Sequence, residues 1–203
     1  MDQTQLANLA LTMMGQKQIG IITEDKPTAI RCNNLWEPSW EAFLQSHDWK
    51  FARKLQALAL DASEPPIDFE YSYTLPGDCL MPRALVDYNN PFTLRAGNTP
   101  KTFDIVGGKL WTDVENAYLL YTANITDHNL MPPTIAMAFA NYFAIQLCIG
   151  MTGSKAVSKL RDQLREDTPL FMAEAIRIND ISGYNPTVES EMPQMNPYLA
   201  ARS

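Results

Sequence analysis

Two histidines and three cysteines are all that 203 residues offer of the side chains most often used for catalysis near neutral pH or for binding transition metals. The histidines, His47 and His128, each sit beside an aspartate (Asp48, Asp127), and sequence neighbours rarely orient one another as a catalytic pair. Cys32, Cys79 and Cys148 are scattered, with no CxxC and no histidine at ligand spacing. That pattern reads as reduced thiols in a cytosolic setting, without disulfides or a structural metal. Basic residues are also scarce: 16 Lys and Arg face 23 Asp and Glu, for a net charge of −7. Such a chain does not grip nucleic acid through phosphate neutralisation, although it is suited to letting nucleic acid slide past. The motifs G-x-G-x-x-G, H-E-x-x-H and G-x-S-x-G are missing. The run Gly150-Met-Thr-Gly153-Ser-Lys155 puts its lysine in the wrong place for a phosphate loop and reads as a helix connection. The N-terminus has no basic segment followed by a long apolar run, so no signal peptide is expected.

Apolar residues, by contrast, make up 46% of the chain. A chain of this length buries about 70% of its unfolded surface, enough for a core without staples. Residues 128–154 lack Asp, Glu, Lys and Arg and are long enough to cross a bilayer. Pro132-Pro133 at the start, Asn141 and Gln146 inside, and the lack of close basic flanks favour a buried core helix. No membrane association is expected.

The pattern along the chain predicts an α+β fold: an α-helical bundle with an inserted small antiparallel β module and an extended C-terminal arm. Asp2 and Gln5 form an approximate capping box for a helix over residues 3–14, stopped by Gly15. The following loop is expected to pin Ile19, Ile21 or Ile22 on the core. Pro27 opens a second helix with Ile30, Trp36, Trp40, Phe43 and Leu44 along one face, ending near His47-Asp48; Pro38 inside it should kink or split it.

From Trp49 the period shortens to two. Strands are expected from Trp49 to Ala57, over FEYSYT (69–74), over 80–86, 92–95 and 118–123, with a Gly107-Gly108 hairpin between 103–106 and 109–112. Residues 61–130, which overlap most of this β module (49–125), hold ten acids against four bases and so carry −6 of the net charge of −7. Helices return over 133–151 and after Ser154, the last interrupted at Thr168-Pro169. The bundle is thus assigned to 1–48 and 126–182.

Residues 183–203 hold three prolines and no helical period. Alone, such a segment is extended and mobile, yet Tyr184, Met192, Met195, Tyr198 and Leu199 are spaced as anchors for a partner surface. The carboxylates Glu64, Asp68 and Glu70 are of the type glycosidases use in pairs, but outer positions of an acidic module are the simpler reading. Tyr71 and Tyr73 resemble a base-stacking platform but lack flanking cations. Asn124-Ile-Thr126 fits a glycosylation sequon by chance.

A resemblance rests on ordered short signatures. They are Asn8-Leu-Ala-Leu11-Thr-Met-Met-Gly15; Ala29 with Cys32; then Leu44, Trp49, Phe51-Ala52, Lys54 and Leu58-Ala59. Tyr73-Thr-Leu75-Pro76-Gly77-Asp78-Cys79-Leu80 follows, then the glycine hairpin, Leu110, Thr112 and Asp113, and Leu119-Leu-Tyr121. Together with the terminal Tyr198 to Arg202, this resembles the tail tubular protein A, or head–tail adaptor, family of tailed bacteriophages. The resemblance spans most of residues 5–180, and Pro38 departs from it. It implies a virion structural protein at the head–tail junction, assembled in the host cytoplasm, with no enzymatic activity and no cofactor. It also implies a homo-oligomeric, dodecameric ring that joins the portal to the tail or nozzle protein. Double-stranded DNA passes through the lumen without sequence-specific binding.

On that reading the portal-binding arm comprises Tyr184, Pro186, Met192, Pro193, Met195, Pro197, Tyr198, Leu199 and Arg202. A closed ring needs two different faces per copy; Trp36 and Trp40 of the second helix and Lys159, Arg161, Arg165 and Glu166 of the last are the candidates. The rival readings are a virion-associated cell-wall hydrolase and a non-viral cytosolic scaffold protein.

Overall fold

The computed structural model describes residues 1–62, 68–87, 101–149 and 155–182. The helix α1 (Gln3–Met13) starts on the reciprocal capping box of Asp2 and Gln5 and ends at Gly15, whose φ of 65° favours glycine. The side chain of Asn8 then clasps the loop by two hydrogen bonds to the main chain of Ile19 (2.9 and 2.8 Å), which places Ile19 in the core. Ile22 is buried as well, and Ile21 is exposed.

Pro27 opens α2 (Pro27–Ser46). It is a single helix, so the expected split at Pro38 does not occur. The missing donor faces Asn34, and both residues lie on the exposed side, where water can serve the free carbonyl. On the opposite side Cys32, Trp36, Trp40, Phe43 and Leu44 are buried, which holds both halves in line, while Ile30 is exposed.

A short 3-10 turn (Lys50–Ala52) leads into the β region, which has seven strands among the described residues: β1 (Arg53–Ala57), β2 (Ala59–Leu60), β3 (Tyr71–Thr74), β4 (Cys79–Asp87), β5 (Asp104–Val106), β6 (Lys109–Thr112) and β7 (Ala117–Ala123). They form two antiparallel sheets, ordered β1-β7-β4 and β2-β3-β6-β5. The chain changes sheet four times: from β1 to β2 at Leu58, from β3 to β4 through Leu75–Asp78, from β4 to β5, and from β6 to β7 through Asp113–Asn116. Gly107 and Gly108, at φ 62° and 78°, make the two-residue turn that only positive φ at both positions allows. Pro82 sits in β4, which among the described residues pairs only with β7, and two register shifts flank it.

The chain returns to helix at α3 (Pro133–Ile149), which packs against α1, α2 and α4 (Lys155–Ile181). Its buried Asn141 explains why an apolar helix carries an amide: Nδ2 donates to the Leu164 carbonyl and Oδ1 accepts from the Thr168 hydroxyl. No helix among the described residues is long and apolar enough to cross a membrane. The last helix also runs unbroken through Thr168-Pro169, contrary to expectation. Pro169 and Arg165, whose carbonyl loses its donor, both face outward. The protein is therefore α+β, with the sheets inserted between α2 and α3. One core runs from the helices into the sheets, joining Phe139 and Trp40 to Tyr121, Leu110 and Tyr73.

Candidate interaction surfaces

The aromatic face of α2 is not available to a neighbour. Trp36 and Trp40 are 3% and 1% exposed, set edge-on against Phe139. The Trp40 indole donates to the Ile125 carbonyl at 3.0 Å. Their assignment to a ring interface is corrected: aromatic spacing on a helix marks a face that gets buried, and here α3 of the same chain buries it. Of the candidates on α4, Lys159, Arg165 and Glu166 are exposed, while Arg161 is half-buried with Asp162 3.6 Å away. The described part of this helix thus keeps a mixed-charge outer face. The arm residues from Tyr184 to Arg202 lie outside the described residues, as do the expected strand at 92–95, Glu64, and the loop residues Gly150 to Ser154.

Three features of the surface were not anticipated. The first is one face of the three-stranded sheet. Leu55, Leu120 and Ala84 stand side by side in register, with Ala57 and Tyr118 in the next row beside the buried Val86, while the alternate residues Leu119 and Tyr121 point into the core. All of β1 is exposed, and Leu55 is 51% exposed. The second is a groove of about 480 Å³ between the sheets, lined by Leu58, Leu60, Tyr71, Glu115 and Tyr118. The third is a groove of about 460 Å³ between the start of α3 and the middle of α4, lined by Pro133, Met137, Leu170, Phe171 and Glu174. Leu170, at 73%, is the most exposed large apolar side chain among the described residues.

The titratable groups serve the architecture. His47 lies 3.3 Å from the Asn179 amide, and His128 packs on Trp36 and Trp40 at ring distances of 5.4 and 4.9 Å. Burial lowers the His128 pKa against the opposing pull of Asp127. Burial pushes the Cys32 and Cys79 thiols up to about 11, so neither is a ready nucleophile. Asp78 accepts from Lys54 at 2.6 Å and from the buried Tyr121 hydroxyl at 2.9 Å. The Lys54 bond, with that of Tyr121, holds its carboxyl below the usual range. Asp68 and Glu70 are exposed. Tyr73 is buried, its hydroxyl donating to the carbonyls of Val114 and Glu115, so it is no base-stacking platform. Asn124, of the chance sequon, donates to Glu37 and Glu41 of α2. Among the described residues no three His, Cys, Asp or Glu side chains come together as a metal-binding set.

Two polar clasps tie the β insertion to the helices. Arg83 donates from Nε to Thr122 (2.8 Å) and from Nη2 to the carbonyls of His47 (2.8 Å) and Gln45 (3.2 Å), satisfying the end of α2. Asn179, buried near the end of α4, accepts from the Lys50 amide at 2.8 Å and donates to the Asp48 carbonyl at 3.1 Å. A polar residue among the apolar positions of α4 was the one available signal for the second.

No protein-family model matches this chain, and no curated protein matches it.

Proposed function

We propose that this chain is a head–tail adaptor of a tailed bacteriophage: a virion structural subunit that forms a ring between the portal and the tail and continues the DNA channel. The observation that carries this reading is where the resemblance motifs fall. Gly15 stops α1 with φ 65°, and Trp49 donates to the Phe43 carbonyl at 2.9 Å where the chain leaves α2. Tyr73 spans the gap to Val114, and Asp78 receives Tyr121. Trp49 marks the joint between the bundle and its insertion, Gly15 closes a bundle helix, and Tyr73 and Asp78 tie the insertion together, so the motifs that resemble that family's are ones that specify a shape. A protein that works as a gasket, with no bond made or broken, needs that and little else.

The open face around Leu55 and the mixed-charge face of α4 supply two unlike surfaces, which heterologous ring contacts require. The negative net charge suits a channel that must not hold DNA. The arm beyond residue 183 is assigned to the portal, with Met192, Met195, Tyr198 and Leu199 as its anchors.

Mixing the purified chain with the cognate portal and examining the product by native mass spectrometry and cryo-electron microscopy tests the proposal. A closed ring seated on the portal is expected. A chain that stays off the portal, together with virions that keep their DNA and tails without it, refutes the reading.

A further inference from the structure

The groove between the two sheets is lined by two tyrosines, Tyr71 and Tyr118, by Leu58 and Leu60, and on its exposed side by Glu115 and Asn116. The Glu115 carboxylate has no hydrogen-bond or ion-pair partner among the described residues. Glu70, beside Tyr71, adds a second exposed carboxylate. Partial desolvation of the Tyr71 hydroxyl, with Glu115 and Glu70, raises its pKa, so both carboxylates act on the groove. None of the described residues that line it is a lysine or arginine. The two cations of β1, Arg53 and Lys54, are already held by Asp48 and Asp78.

One wall of this groove is also a free sheet edge. The Leu58 N–H donates to the Ala117 carbonyl at 2.9 Å, and Gln56 and Lys54 stand opposite Leu119 and Tyr121. Hydrogen-bonded pairs alternate along an antiparallel ladder, so Gln56 and Lys54 bond β7, and Leu55 and Ala57 turn their N–H and C=O groups the other way. On that side β1 has no strand partner among the described residues. Ala57 belongs to both the edge and the groove.

We propose that an extended segment of a partner protein adds to the free edge of β1 and places an arginine side chain in the groove, against Tyr71, Tyr118 and Glu115. The chemistry matches part by part. The aliphatic stem of an arginine packs on Leu58 and Leu60. Its planar guanidinium stacks on tyrosine rings and presents a two-pronged donor to a carboxylate. Main-chain bonds along an added strand supply affinity, and the side-chain pocket supplies specificity. Residues 61–130, with ten acids against four bases, attract a basic segment and repel nucleic acid or an acidic one. The site does not depend on the adaptor reading.

The test is an NMR titration of the isotope-labelled full-length chain with the blocked pentapeptide Val-Thr-Arg-Thr-Val. The comparison peptide carries citrulline, the neutral isostere, in place of arginine. Saturable amide shifts confined to residues 55–60, 70–72 and 115–118 are expected, with the citrulline peptide at least about tenfold weaker. Glu115→Gln, at an exposed position, should leave the urea midpoint unchanged and weaken the arginine peptide roughly threefold to tenfold. Equal affinity for the two peptides, or full affinity in E115Q, makes the groove a plain apolar cleft and overturns the proposal. Shifts elsewhere, or none up to millimolar peptide, overturn it as well. Maltose saturating the same amides where the peptide does not assigns the groove to a neutral sugar, with the same consequence. The titration uses the free chain, so portal attachment does not enter its outcome.

Discussion

The indole nitrogen of Trp40 in α2 and the main-chain carbonyl of Ile125, just past β7, lie 3.0 Å apart across 85 positions of sequence. Ile125 is buried, so its carbonyl depends on that donor.

Trp40→Phe removes the donor while keeping an aromatic ring against Phe139. The carbonyl is then buried without a partner, at a cost of about 1–3 kcal/mol. Urea unfolding followed by far-ultraviolet circular dichroism measures it; an unchanged midpoint would show that the bond contributes nothing.

The clasp at Asn179 makes a second case. Its amide satisfies the Lys50 N–H and the Asp48 carbonyl together. Asn179→Ala leaves both without this partner and should lower stability by about 2–3 kcal/mol. Hydrogen exchange should rise first at the end of α4 and in residues 48–53, before the rest of the core opens.

His128 predicts a pH dependence. Burial holds its pKa below the ordinary 6.5, so the unfolded chain binds a proton more readily than the folded one. The associated stability is fully present above pH 6.5 and falls as pH drops below that value, levelling off beneath the folded pKa. Asp127, Asp2 and Glu37 counter the effect in part, and the N-terminal amine adds to it. His128→Gln should flatten the stability profile on the acid side of neutrality, as measured by denaturant midpoints at a series of pH values.

Pro169 lies in an exposed stretch of a helix that continues through it. Pro169→Ala restores a donor for the Arg165 carbonyl, at the cost of some unfolded-state stiffness. A net gain of roughly 1–2 kcal/mol is expected. A thermal midpoint that falls instead would mean that the proline shapes α4 against α3.

Local signals were the readable ones. The Asp2–Gln5 box, the alternation of Tyr71 to Thr74 and the Gly107-Gly108 turn each act over a few residues, and the structure has all three. Both internal prolines misled, because whether a helix survives the loss of one bond depends on where the orphaned carbonyl points and on what grips the opposite face. The same applies to Trp36 and Trp40: their spacing announces a covered face, but not that α3, about a hundred residues on, does the covering.

The Asn179 clasp also determines what happens at the root of the final segment. Lys50 Nζ reaches the Asp180 carbonyl at 2.6 Å, and the Ser182 hydroxyl turns back to the Asn179 carbonyl at 2.6 Å. Tension applied to the chain beyond Ser182 is therefore shared with the segment from Asp48 to Arg53, where Arg53 grips Asp48 through two hydrogen bonds. A pull on the terminus would be felt at the threshold of the sheets before it could unwind the last helix.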